Sequence, residues 1–196
     1  MTNAPQIGVL AVQGAFAEHA AMLEALGAHT FLIRQAADLD RPMDALVLPG
    51  GESTVQGKLL HELGLFDALR ERISKGLPTF GTCAGMILLA KHLYDDDTVH
   101  FGLMDIEVRR NAYGRQLGSF ITREMFADLG EIPMTFIRAP YIEAVGPKAE
   151  PLATVDGHIV AAREGNMLVI SFHPEVTEDT SVHQYFLRMV EANMSK

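Results

Sequence analysis

One cysteine, no run of lysines and arginines, no basic leader, no internal repeat and no low-complexity tract occur in the 196 residues. A lone thiol, Cys83, forms no internal disulfide, and it leaves the eight histidines, scattered without ligand-like spacing, no thiolate cluster with which to bind zinc. With a net charge of −9 and no basic run, the chain lacks the electrostatic footprint that attracts nucleic acid or an anionic membrane surface. The apolar stretch of the opening "MTNAPQIGVLAVQGAF" is only strand-length and follows no basic residues, which speaks against a secretory signal or a membrane span and for a cytoplasmic protein. Slightly under half of the residues are hydrophobic, enough for one well-buried core and short of two, so residues 1–196 read as a single domain.

What is present is an alternation. "IGVLAV" (7–12) reads as a strand, followed by a helix over 15–26 whose Phe16, Ala20, Leu23 and Leu26 share a face. "TFLIR" (30–34), "ALVLP" (45–49) and "PTFG" (78–81) repeat the strand pattern, with helices predicted over 53–62, 65–75 and 84–93. Near-continuous apolar strands between helices imply a mostly parallel sheet covered on both faces, a flavodoxin-like three-layer α/β sandwich. Beyond residue 100 the texture changes to successive short strands, among them "LMDIEVRR", "LGSFITREMF", "MTFIRAP" and "MLVISFHP", which predict an antiparallel extension. A terminal helix, capped by Asp179 or Thr180, would then place Val182, Tyr185, Phe186, Met189 and Val190 on the core. The acidic "YDDDT" (94–98) reads as a solvated helix exit rather than a metal site.

Cys83 sits in "GTCAG", after the apolar "PTF" and before the helical "MILLAKHL". A lone cysteine beside a core strand ordinarily packs as a small hydrophobe. The G-x-C-x-G spacing in a strand-to-helix context predicts instead a nucleophile elbow, in which Gly81 and Gly85 allow strand and helix backbones to approach closely. The thiol would project from the carboxyl edge of the sheet at a helix N-terminus, a setting that favours the reactive thiolate. A base and an orienting group are then required. "SFHPE" offers His173 and Glu175, which an extended segment would project to the same side. The other seven histidines lie in predicted helices or at turns and receive no chemistry.

Acyl transfer also develops an oxyanion, which the backbone N–H of Ala84 and a donor from "LPGGEST" would stabilise. In that segment Gly50 and Gly51 let amides approach a ligand, while Ser53 or Thr54 caps the following helix. "VRRNAYGRQLGSF" gathers three arginines and "FIRAP" adds Arg138, groups suited to a substrate carboxylate.

In this order, "VLAVQGAF", "LPGGEST", "FGTCAGMILLAK", "RRNAYGRQLGSF", "FIRAP" and "SFHPE" closely resemble the glutaminase subunits of pyridoxal 5′-phosphate synthases, a branch of the class I, triad-type glutamine amidotransferases. The likeness runs from about residue 6 into the final helix. It implies Cys83 as nucleophile, His173 as base and Glu175 as its orienter, with glutamine held by Gly51, Glu52, Ser53, Arg110, Ile137 and Arg138. It further implies an oxyanion hole from Gly51 and Ala84, with Gln13 beside the oxyanion loop. The implied reaction hydrolyses L-glutamine to glutamate through a γ-glutamyl thioester and passes ammonia to a (β/α)8 synthase partner within a large hetero-oligomer. On this reading the chain needs no metal or cofactor, pyridoxal 5′-phosphate being the product of the complex. The segment 123–135 looks short beside the family pattern. Two other readings of the same residues are a γ-glutamyl hydrolase or cysteine peptidase of similar fold, and a non-catalytic docking subunit.

Overall fold

A computed structural model describes residues 3–112 and 118–196. Strands β1 (Gln6–Leu10), β2 (His29–Ile33), β3 (Ala45–Leu48) and β4 (Thr79–Thr82) pair in parallel in the order β2-β1-β3-β4. The late strand β12 (Met167–Ile170) joins β4, also in parallel. Alternation sets the layers: Val47 points to one face and its neighbours Leu46 and Leu48 to the other, and all three are buried because both faces are covered. Helices α1 (Phe16–Ala25) and α5 (Ser181–Met194) cover the Val47 side through Leu23, Val182, Phe186 and Val190. On the opposite side lie α2 (Ser53–Glu62), α3 (Phe66–Ser74) and α4 (Ala84–Leu89), through Leu60, Leu69, Ile73 and Met86. This is the expected three-layer sandwich.

The expected antiparallel extension begins at β12. The hairpin partner β11 (His158–Glu164) runs against it, followed by β10 (Glu150–Val155), β7 (Ser119–Phe126) and β8 (Gly130–Ile137). A side branch of β5 (Ala90–Leu93), β6 (Met104–Arg109) and β9 (Tyr141–Val145) attaches through β9 to β11. Segment 123–135 closes a regular hairpin, Arg123 standing opposite Pro133.

Two local expectations need correction, and a third holds in position only. The helix predicted over 84–93 ends at Leu89, and 90–93 forms β5 against β6. All six residues of α4 are buried, so an apolar run enclosed on every side shows no period by which to find its end. Neither Ser53 nor Thr54 caps α2: Glu52 holds the cap position without a side-chain cap bond. At α5 the cap position is Thr180, again without one, while Asp179 Oδ1 accepts the Ser181 N–H at 2.9 Å. No helix among the described residues is long and apolar enough to cross a membrane.

Candidate active site

Strands β4 and β12 are neighbours, with Thr82 in register with Ile170. Their carboxyl ends therefore release Cys83 and the segment 171–173 side by side, and the Cys83 N–H donates to the Ile170 carbonyl at 2.8 Å. Cys83 has φ 52° and ψ −100°, a left-handed conformation that is strained for a residue with a Cβ, and α4 starts at the next residue. This is the predicted elbow. A Cβ on Gly81 would stand 2.8 Å from the Gly85 carbonyl, and one on Gly85 would stand 2.1 Å from the Leu48 carbonyl oxygen. Gly81 thus serves the turn itself, and Gly85 lets α4 press against β3.

His173 arrives with its backbone N–H tied to the Thr135 carbonyl of β8 at 2.8 Å. Glu175 does not reach it through an extended tripeptide, as the sequence suggested: 174–176 is one turn of 3₁₀ helix with Pro174 at its start, where a fixed φ is already helical. The side chains meet nonetheless, His173 Nδ1 lying 2.6 Å from Glu175 Oε1. Cys83 is the other group that acts on this ring. Burial opposes a charge on this ring, but its interactions with Cys83 and Glu175 outweigh it and push His173 up to about 10. An imidazolium beside a sulfur can stabilise a thiolate and then hand its proton to a leaving group.

A cleft of about 470 Å³ opens over Cys83 and His173. Gln13, Gly51, Glu52, Ser53, Arg110, Ile137 and Arg138, singled out in the sequence, all line it. Ala84 does not: it follows Cys83 as the first residue of α4. Gln13 Oε1 accepts the Glu52 N–H at 2.8 Å, and the Ala15 N–H donates to the Gly50 carbonyl at 3.0 Å, so the loop after β1 clamps the Gly-Gly loop after β3. Arg110 reaches Asp96 Oδ2 and Thr54 Oγ1, each at 3.3 Å. The acidic loop is thus more than a solvated helix exit, since one of its carboxylates holds a cleft arginine. Arg138 has φ 45° and anchors its N–H on the Gly118 carbonyl at 2.7 Å. Arg115, the third arginine of its motif, lies outside the described residues.

The family model decides what this architecture belongs to: the SNO glutamine amidotransferase family matches residues 9–192. The chain belongs to that family. The likeness to named relatives covers most of the chain. A Methanocorpusculum labreanum protein named pyridoxal 5′-phosphate synthase subunit PdxT is 60% identical over 185 residues, 94% of this chain and 97% of its own. One of the same name from Bifidobacterium longum is 56% identical over 191 residues, covering 93% and 99%. A solved structure described as a glutamine amidotransferase superposes with a TM-score of 0.89 at 42% identity, over 94% of this chain and 98% of that one.

Two residues beside the SNO-family site escaped the sequence reading. His19 of α1 and His183 of α5 are fully buried, and His19 Nε2 lies 3.6 Å from Glu175 Oε2. A signal existed: each interrupts the apolar face of its helix, His19 beside Phe16, Ala20 and Leu23, His183 beside Val182 and Phe186. Asn111, Pro140 and Val176 also line the cleft and were given no role from sequence.

Proposed function

We propose that this chain is the glutaminase subunit of a pyridoxal 5′-phosphate synthase, hydrolysing L-glutamine and supplying the ammonia to a synthase partner. The convergence of Cys83, His173 and Glu175 at the ends of two adjacent strands carries the reading. The two relatives named above are pyridoxal 5′-phosphate synthase subunits by name, and the likeness covers nearly their full length.

The Cys83 thiolate attacks the side-chain carboxamide carbon of glutamine, forming a C–S bond and a tetrahedral oxyanion. Backbone N–H groups of Ala84 and Gly51 receive the oxyanion, while Gln13 fixes the Gly-Gly loop through Glu52. His173 gives its proton to the departing nitrogen, the C–N bond breaks, and ammonia leaves a γ-glutamyl thioester. Now neutral, His173 takes a proton from water as the water oxygen attacks the thioester. Collapse breaks the C–S bond, releases glutamate and restores the thiolate–imidazolium pair. Glu52, Ser53 and Ile137 line the substrate side, and Arg110 and Arg138 bind its α-carboxylate. The partner in this reading is a (β/α)8 synthase in a large hetero-oligomer, to which the ammonia passes.

Glutamate release from L-glutamine by the purified chain, with and without a pyridoxal 5′-phosphate synthase partner, tests this. Partner-stimulated release that Cys83→Ala abolishes is expected. Release that survives Cys83→Ala removes the thiol from the mechanism, and no release under either condition makes the chain a docking subunit.

A further inference from the structure

Glu175 has two carboxylate oxygens and the triad uses one. Oε1 takes His173 Nδ1; Oε2 is buried, has no hydrogen-bond partner among the described residues, and faces His19 Nε2 at 3.6 Å. Behind it the network continues, with His19 Nδ1 lying 2.9 Å from His183 Nε2. Phe80, three residues before Cys83 on β4, presents its ring edge-on to both imidazoles at 5.6 Å and 5.5 Å, so the pair is walled by apolar core.

Burial first, and the proximity of two other imidazoles, His183 and His173, hold His19 well below the ordinary histidine range, and burial pushes His183 down to about 4. Both rings are therefore neutral, with two ring protons for four nitrogens. If His19 donated to His183, its bare Nε2 lone pair would face a carboxylate oxygen. The carboxylate selects the opposite sense: His183 Nε2–H donates to His19 Nδ1, and the His19 proton sits on Nε2, aimed at Oε2. Catalytic contacts are commonly loose without substrate and tighten on binding, which a 3.6 Å separation allows.

We propose that His19 and His183 are positioning residues that extend the triad: His183 fixes the tautomer of His19, and His19 holds the second oxygen of Glu175, which in turn orients His173. This rests on the glutaminase reading above. The two rings bring α1 and α5 to the back of the site, α5 through the contact of His183 with His19. A purely structural pair would be served better by apolar side chains, since buried polar groups without partners are unfavourable, and His183 Nδ1 has no partner among the described residues.

The test measures glutamate release by wild type, His19→Leu, His19→Gln, His183→Phe and the Leu/Phe double variant, each in complex with the synthase, with Cys83→Ala as blank. His19→Leu should lower kcat about 10-fold with KM within about twofold, and should move the alkaline limb of kcat/KM to lower pH as Glu175, no longer held from behind, orients His173 less firmly. His19→Gln keeps an amide donor near the Nε2 position and should retain most of the activity that His19→Leu loses. His183→Phe should give a smaller fall that vanishes on top of His19→Leu, because it acts through that ring. A folded His19→Leu with wild-type kcat and pH profile overturns the proposal. So does an equal, additive loss from His183→Phe in both backgrounds. If His19→Leu does not fold, His19→Gln and His183→Phe decide it by the same kcat and pH readouts. An inactive wild type would refute the glutaminase reading itself.

Discussion

Replacing Gly50 by alanine should damage the site while leaving the fold standing. The new Cβ would lie 2.5 Å from His173 Cε1 and 3.2 Å from Nδ1, whereas carbon atoms in contact sit about 3.5–4.0 Å apart. The ring must retreat by about 1 Å. It cannot do so freely, being held by Glu175 at 2.6 Å and by its own backbone bond to Thr135 at 2.8 Å. A displacement of that size between nucleophile and base lowers kcat by about 10²-fold. Overpacking of this kind costs about 1–3 kcal/mol, which for a chain of this length lowers the melting temperature by about 2–12 °C. The assay is glutamate release in the synthase complex beside a thermal melt of the free chain. Gly27→Ala is the control: φ there is +93° with no atom within 4 Å of the added carbon, so it should lower the melting temperature by a few degrees and leave kcat alone. A Gly50→Ala protein within threefold of wild-type kcat would refute the geometry given for His173.

Gly85→Ala drives a carbon to 2.1 Å from the Leu48 carbonyl oxygen, backbone against backbone, and should lose both melting temperature and activity as α4 lifts from β3. Asp96→Asn frees Arg110 and should raise KM for glutamine several-fold with little change in kcat, read from initial rates; its pair is partly exposed, so the melting temperature should stay within about 2 °C. Because burial puts the His183 pKa near 4 in the folded state, against about 6.5 unfolded, the stability it contributes is present above 6.5 and lost as pH falls toward 4. Between pH 7 and 5 this amounts to about 2 kcal/mol, which His183→Phe should remove from the pH dependence of urea unfolding. His173, raised to about 10, acts oppositely: its contribution is present below 6.5 and lost as pH rises toward 10, so the comparison with His183→Phe, not the wild-type curve alone, isolates His183.

The parts of this molecule that repeat a period or a spacing were legible in its sequence. Strands such as 45–48 are uniformly apolar because both faces are covered, and the glycines flanking Cys83 mark a turn that admits no Cβ. What escaped depends on neighbours remote in the chain. Nothing within 90–93 distinguishes a last helical turn from a strand until β6 lies alongside. Pro174 favours either an extended residue before it or a 3₁₀ turn after it, and tertiary packing chose the turn. His19 and His183 are 164 positions apart, so each looked like an isolated helix residue until two helices on one face of the sheet brought their rings together, with His19 facing the Glu175 carboxylate. Asp96 likewise gained a role only when the loop carrying Arg110 came back to it.

The left-handed backbone at Cys83 has an evolutionary corollary. A side chain there stores about 1–3 kcal/mol of strain that glycine would release, so a substitution that relieves this turn also removes the nucleophile. A laboratory selection for thermal tolerance alone would drift toward Cys83→Gly, and only a simultaneous demand for turnover keeps sulfur on that turn.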